Sequence, residues 1–169
     1  MKKSTSILFA LIFSITTLTS CSSDNETVAP TAIGSVSVES AKNYTHDSSE
    51  IELLDLINTY RVEHNLNTLS IIEHISYKSS EHNAYMIAVN AVSHDGFTER
   101  KTNFQQLLGA VRVGENVAFG FSSPQAALNG WIASDGHRAN LEGDYTHFGV
   151  SIRIDANGKK YYTNMFIKK

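Results

Sequence analysis

The chain contains little cysteine, proline and tryptophan, and it has no cluster of positive charge. Its 169 residues include one cysteine, two prolines and one tryptophan, and its net charge is −3. A single cysteine excludes an intrachain disulfide bond. A mildly acidic chain without a basic cluster has no electrostatic attraction to nucleic acid, so we expect no nucleic-acid partner. The length fits one domain with appendages.

The apolar run at residues 7–18 is too short to span a membrane. A spanning helix needs about 20 apolar residues. Lys2 and Lys3 precede the run and small residues follow it, which is typical of a secretory signal peptide. We therefore predict a signal peptide over residues 1–20, with an uncleaved membrane anchor as the alternative.

The only cysteine lies where such a signal would end. The segment Leu18-Thr19-Ser20-Cys21 resembles a bacterial lipobox, which predicts cleavage before Cys21 and lipidation of that residue. Each buried methylene of an attached lipid contributes about 0.8 kcal/mol to membrane binding. Cleavage removes two lysines and no acid, so the net charge would change from −3 to −5. We expect a lipid-anchored protein of the cell envelope, either periplasmic or surface-exposed.

The mature chain divides into a tether and a domain. Residues 21–46 are rich in serine and threonine and contain Pro30 and Gly34, which predicts a flexible tether after the lipidated cysteine. Residues 47–169 form the predicted domain. Its helices are expected over 48–64, from Ser70 to near Ser93, over 98–108 with Gly109 as the stop, and from Ser123-Pro124 to about Ser134 with Gly136 as the stop.

Strands come late in the sequence. Residues 148–154 and 161–167 alternate between apolar and polar positions on either side of a turn at 155–158, which predicts an antiparallel hairpin. Residues 114–119 are a candidate third strand. Helices followed by strands indicate an α+β fold, with helices packed against a small antiparallel sheet.

Three polar breaks between apolar segments carry the chemistry of this chain. They contain Ser93-His94-Asp95, Gly114-Glu115-Asn116 and Ser134-Asp135-Gly136-His137. Residues at the ends of separate elements are the usual source of a binding or catalytic site. Imidazole and carboxylate groups bind divalent metals or transfer protons. The sequence therefore predicts a site that includes His94, Glu115 and His137, with Asn116, Ser134 and Asp135 beside it.

These segments together resemble the CAP superfamily, also called the SCP domain, in its short bacterial branch without disulfides. The matching residues follow the order of the family and span about residues 51–166: His82-Asn83-Ala84-Tyr85-Met86, Ser93-His94, Gly114-Glu115-Asn116-Val117-Ala118, Trp131, Gly136-His137-Arg138-Ala139-Asn140-Leu141 and Phe148-Gly149-Val150. The resemblance implies a three-layer α-β-α sandwich with a surface cleft that holds two histidines and two acids.

Three of those four groups are present here. The resemblance places the histidines at His94 and His137 and one acid at Glu115, whereas Ser134 stands at the position of the second acid and Asp135 is only its neighbour. His94 and His137 are candidate zinc ligands, and Glu115 is either a third ligand or a catalytic base acting on metal-bound water. The resemblance favours a shallow, exchangeable site for zinc or another divalent metal.

Other roles for these residues stay open at this stage. Glu115 can pair with His94 and hold the fold together without catalysis. Ser134 is a candidate nucleophile with His137 as base, or a local hydrogen bonder at a helix end. Outside the site, we interpret His82 as a packing residue, Trp131 as core, and His64 and His74 as exposed: none of the four is a predicted ligand.

Three functions follow as hypotheses. The first is a binding module for a lipid, a sterol or another envelope ligand, with an optional divalent metal. The second is a metal-assisted hydrolase of envelope or extracellular material, with His94 and His137 as ligands and Glu115 as base. The third is an adhesive surface protein whose cleft has no chemistry.

Overall fold

The computed structural model describes residues 40–169. The predicted signal peptide, the lipidation at Cys21 and most of the predicted tether therefore lie outside the described residues. No helix within the described part combines the length and hydropathy of a membrane span. In chain order the elements are α1 (Ser48–Glu63), β1 (Ser70–Ile71), α2 (Glu73–Val89), α3 (Phe97–Leu108), β2 (Arg112–Phe119), α4 (Pro124–Ile132), α5 (Asp135–Leu141), β3 (His147–Ile154) and β4 (Lys160–Lys168).

The sheet has the strand order β1-β3-β4-β2. The predicted hairpin is confirmed as β3 and β4, and the candidate third strand is confirmed as β2, which pairs antiparallel with β4. The short strand β1 is parallel to β3, with Ser70 opposite His147. The prediction that Ser70 begins a helix is wrong. Its N–H donates to the carbonyl of Thr146 in the sheet, and the helix begins at Glu73.

Helices cover both faces of the sheet, which confirms the α-β-α sandwich. Alternate residues of β4 point to opposite faces: Phe166 packs with α1 and α4, and Met165 packs on the other side with Ile75 of α2 and Phe104 of α3. The larger apolar cluster contains Leu53, Leu54, Ile57, Leu128, Trp131, Phe148, Val150 and Phe166. The site described below is built where the edge strand β2 meets these layers.

The face that α2 turns to the sheet is largely polar. Ile75 and Met86 are buried, whereas Tyr85 and Val89, which are also apolar, are exposed. Asn83 takes the buried side instead: it donates to the carbonyl of Ser151 and accepts from the hydroxyl of Thr163. Because these polar groups have partners, their burial costs little.

The predicted fourth helix is two helices. α4 ends at Ile132 because the backbone at Ser134 is extended (φ −106°, ψ 119°), and α5 begins at Asp135. Gly136 was expected to end the helix, but it lies in the first turn of α5. Gly109, in contrast, ends α3 as predicted, with a left-handed φ of 71° that favours glycine.

Residues 42–46, assigned to the tether on sequence, lie against the domain. The backbone N–H of Lys42 donates to Nδ1 of His74, and the hydroxyl of Tyr44 donates to Oε1 of Glu50 at 2.6 Å. Burial, followed by the bond to Glu50, raises the pKa of Tyr44 to about 12. His74 is buried here, so its predicted exposure is wrong. The domain-side end of the tether is thus held to the fold by hydrogen bonds.

Candidate functional site

Glu115 is the centre of the site. The alternation of β2 directs its side chain to the face covered by α2 and α3, where it is only 5% exposed. Oε1 accepts from Nδ1 of His94 at 2.7 Å. Oε2 accepts from Nε of Arg100 at 2.8 Å, with Nη2 at 2.6 Å. Both oxygens of this buried carboxylate therefore have cationic or imidazole partners, as a buried charge requires.

The loop before α3 presents His94 to solvent. Its imidazole is 52% exposed although Nδ1 is bonded to Glu115. Gly96 allows the loop to turn into α3 with a left-handed φ of 70°. Arg100 fastens the loop as well, because its Nη1 donates to the carbonyl of Asp95 at 2.8 Å. The ring of His94 is consequently oriented by its neighbours, and its Nε2 edge remains for a ligand.

Sequence reasoning missed Arg100. It lies in the first turn of α3, where the positive end of the helix dipole disfavours a cation. An arginine at that position needs a carboxylate partner. This need is the one sequence signal from which Arg100 could have been found. Its guanidinium neutralises Glu115 and is itself mostly buried. Arg100 is thus part of the cluster that the sequence assigned to His94, His137 and Glu115.

His82 closes the site from α2. Nε2 donates to the carbonyl of Ser93 at 2.8 Å and lies 4.0 Å from Oε1 of Glu115. Its Nδ1 is buried without a hydrogen-bond partner. Burial and then the charge of Arg100 lower the pKa of His82. The neutral ring therefore packs behind Glu115 and fixes the residue that precedes His94, which agrees with its interpretation as a packing histidine.

We expect the lowered pKa of His82 to make the domain less stable in acid. Between the lowered native pKa and the unfolded value of about 6.5, the unfolded chain binds more protons. The free energy of unfolding should therefore decrease as the pH falls from 7 towards 5, by at most about 1.4 kcal/mol per pH unit from this residue. Protonation would add a cation beside Arg100 and His94, opposed by the negative charges of Glu115 and Asp95.

Urea unfolding of the wild type and of His82→Gln at pH 8, 7, 6 and 5 measures this contribution. We expect a smaller decrease for the variant, because it has no proton to gain. The pH 8 measurement gives the cost of the substitution itself. Equal slopes in the two proteins would show that His82 does not account for the acid sensitivity.

His137 reaches the site from the opposite side of β2. The backbone carbonyl of His137 accepts from Nδ2 of Asn116 at 3.0 Å. Nδ2 of Asn140 donates to the backbone carbonyl of Glu115 and to Oδ1 of Asn116. The edge strand, which carries Glu115, and α5, which carries His137, are therefore held together by two asparagines.

The setting of His137 differs from the one expected. It was predicted to follow a helix C-terminus, but it lies in the first turn of α5, where the helix dipole disfavours a protonated ring. Burial, followed by the charge of His94, lowers the pKa of His137. A neutral imidazole with an available nitrogen is what a metal ion or a hydroxyl-bearing ligand requires.

Asp135 and Ser134 are not members of the Glu115 cluster. The carboxylate of Asp135 pairs with Arg138 at 2.6 Å, and its side chain is 93% exposed. Ser134 is the N-cap residue of α5 and so lies at a helix end, but its side chain makes no capping hydrogen bond. Asp135 therefore does not replace the second acid that the family resemblance suggests.

The donor set fits a metal ion only in part. Within residues 40–169, no three histidine, cysteine, aspartate or glutamate side chains are grouped so that they could hold one ion. Both oxygens of Glu115 are occupied, so the available donors are Nε2 of His94 and the ring of His137. Catalytic zinc sites usually have three protein ligands. Glu115 is placed as a carboxylate that orients a histidine rather than as a ligand.

The fold is a three-layer sandwich in which a carboxylate of the edge strand pairs with a histidine of the loop before α3. The family model described as CAP, the cysteine-rich secretory protein family, matches residues 54–166. The chain belongs to this family.

Two relatives from Bacillus subtilis (strain 168) match over about the same part of the chain. The uncharacterized membrane protein YlbC is 36% identical over 132 residues, which cover 72% of this chain and 35% of YlbC. The uncharacterized protein YkwD is 28% identical over 125 residues, which cover 71% of this chain and 47% of YkwD. The matched region thus spans less than half the length of either relative.

Solved structures show the same fold. An extracellular protein containing a SCP domain from Bacillus anthracis str. Ames is 33% identical, with a TM-score of 0.63 over 72% of this chain and 40% of that one. A cysteine-rich secretory protein from Staphylococcus aureus is 23% identical, with a TM-score of 0.60 over 72% and 39% of the chains. An outer surface protein from Borrelia burgdorferi is 19% identical, with a TM-score of 0.65 over 76% and 99%. The last two similarities concern the fold alone.

Proposed function

We propose that this protein is a lipid-anchored CAP-domain protein of the cell envelope and that it works as a binding module. The proposal rests on the contacts of the Glu115 carboxylate. Its carboxylate is neutralised by Arg100 and bonded to His94, while the His94 imidazole stays half exposed. Such a carboxylate orients a recognition group; it is not free to act as a base. The occupant of the cleft is an envelope ligand, with a divalent metal as an auxiliary group on His94 and His137.

Zinc titration by calorimetry tests the metal part of the proposal. We expect saturable binding to the full-length chain and its loss in the double variant His94→Ala/His137→Ala. Glu115→Gln should weaken binding by about 10- to 100-fold, the usual effect of removing a carboxylate that orients a ligand histidine. The matched control is His64→Ala, which removes an exposed imidazole on the C-cap of α1 and should leave zinc binding unchanged. Unaltered binding in the double variant would contradict the assignment.

A metal-assisted hydrolase is the second candidate, and one observation favours it. A 2.7 Å bond from a buried carboxylate to a half-exposed imidazole is also the geometry that prepares a histidine for proton transfer or metal binding. This function requires turnover that disappears on chelation and in Glu115→Gln. If a broad panel of esters, amides and glycosides shows no metal-dependent turnover, the hydrolase is rejected and the binding module remains.

The envelope location is supported by the signal-like residues 1–20 and by the names of relatives, which describe a membrane protein, an extracellular protein and an outer surface protein. Cys21→Ser should release the protein from membranes into the soluble fraction, because it removes the attachment point of the lipid. Membrane fractionation followed by immunoblotting measures this. Retention of the variant in the membrane fraction would contradict the lipid anchor. Ser22→Ala, one residue further on, is the matched control.

A further inference from the structure

An uncharged, exposed surface lies directly beside the candidate site. Residues 82–93 contain no lysine, arginine, aspartate or glutamate. Tyr85 and Val89 follow His82 at spacings of three and seven residues, so they lie along the same edge of α2 as His82, which approaches Glu115. Tyr85, Val89 and the following Val92 are all exposed. We call these three residues the Tyr85 platform.

The ring of Tyr85 is held in place although it is 41% exposed. Its hydroxyl donates to Oδ2 of Asp95 at 2.9 Å. One side of the ring stacks on His82, with the centroids 6.0 Å apart and the planes at 13°. A solvent-facing aromatic ring that is already ordered loses little conformational entropy when it binds a ligand.

Groups that bind hydroxyls adjoin the platform. Asp95 is exposed, and its carboxylate is an acceptor that already accepts from the hydroxyl of Tyr85. His94, the next residue, offers its half-exposed imidazole. Arg100, which contacts Asp95, is already engaged by Glu115 and by the carbonyl of Asp95. The surface therefore combines an apolar plane with hydrogen-bonding groups, and the cation that borders it at Asp95 already has its partners.

We propose that the Tyr85 platform, with Asp95 and His94, binds an uncharged saccharide chain. The proposal rests on the binding function assigned above and names its ligand class. A sugar ring has an apolar face that packs on an aromatic ring and a rim of hydroxyls that pair with carboxylate and imidazole groups. Contact with an anionic membrane surface would instead require lysine or arginine beside the apolar residues, and residues 82–93 have none.

The test is calorimetric titration of the full-length chain with two neutral probes, the tetramer of β-1,4-linked N-acetylglucosamine and cellotetraose. We expect at least one to bind, with affinity reduced about tenfold in Tyr85→Ala, the loss expected for one aromatic contact. Tyr85→Phe keeps the ring and should lose less. The matched control is Val62→Ala, which shortens an exposed apolar side chain on α1 and should leave binding unchanged.

Several outcomes overturn the saccharide proposal. They are an absence of binding for both tetrasaccharides, binding that Tyr85→Ala does not weaken, and Tyr85-dependent binding to neutral phosphatidylcholine vesicles without saccharide binding. Zinc titration of the same preparations separates this proposal from the broader one. Zinc bound at His94 and His137 without saccharide binding leaves the binding module in place and removes only this ligand class. Loss of both removes this ligand class and contradicts the metal part of the proposed function as well.

Discussion

Glu115→Ala should lower the free energy of unfolding by about 3–5 kcal/mol, the cost of removing one partner from a buried ion pair. The substitution leaves the guanidinium of Arg100 mostly buried without a counter-charge and takes away the acceptor of His94. Chemical denaturation followed by circular dichroism measures the change. We also expect the His94 ring to lose its fixed orientation, which its NMR resonances would report.

Two further variants show whether the loss of stability in Glu115→Ala comes from the buried ion pair or from the removal of a carboxylate as such. Asp135→Ala removes an exposed carboxylate that pairs with Arg138, and it should change stability by less than about 1 kcal/mol. In the double variant Glu115→Ala/Arg100→Leu, no charge is left without a partner, so the loss should be smaller than the sum of the two single losses. A cost below about 1 kcal/mol for Glu115→Ala would contradict the buried pair.

Trp131→Ala should also lower the free energy of unfolding by about 3–5 kcal/mol, as large aromatic truncations in a core do. The indole is almost fully buried among residues of α1, α4 and the sheet, as its interpretation as core predicts. In addition, its Nε1 donates to the carbonyl of Val117 at 3.0 Å, on the edge strand that carries Glu115. Loss of the ring therefore leaves a cavity and also leaves the Val117 carbonyl without its hydrogen-bond partner.

Trp131→Phe distinguishes these two contributions. It keeps most of the apolar volume but has no N–H group, so the acceptor on Val117 loses its partner at a cost of about 1–3 kcal/mol. Circular dichroism is the appropriate readout, because Trp131 is the only tryptophan and its fluorescence disappears with the substitution. Ile154→Ala, at an exposed position of β3, is the control and should stay within about 0.5 kcal/mol. A loss of the same size at both positions would contradict the core role of Trp131.

Local features of the fold were predictable because their causes lie within a few residues. Asp47 and Glu50 have the three-residue spacing of a capping box, and both of its bonds form: the Glu50 N–H donates to Asp47 and the Asp47 N–H donates to Glu50. The β3–β4 hairpin closes at the turn predicted over residues 155–158. These features need only neighbouring backbone groups and alternating side chains.

Features that depend on distant partners were not predictable in the same way. Ser70 has the character of a helix cap, but pairing with a strand about 77 positions later makes it part of the sheet. Similarly, Tyr85 and Val89 fit an apolar helical face, yet hydrogen bonds from β3 and β4 favour the polar side of α2 for burial. Tertiary packing overrides local periodicity where polar groups find buried partners.

The sequence by itself determined the family and the α+β class and indicated His94, Glu115 and His137 as candidate site residues, because ordered motifs and element ends are properties of the chain. Only the tertiary structure decided what those residues contact. It brought in Arg100 and His82, occupied both oxygens of Glu115, kept Asp135 at the surface and exposed Tyr85 beside the site. The physical reason is that the contacts of a charged side chain depend on which elements pack around it. Residue spacing alone does not determine those contacts.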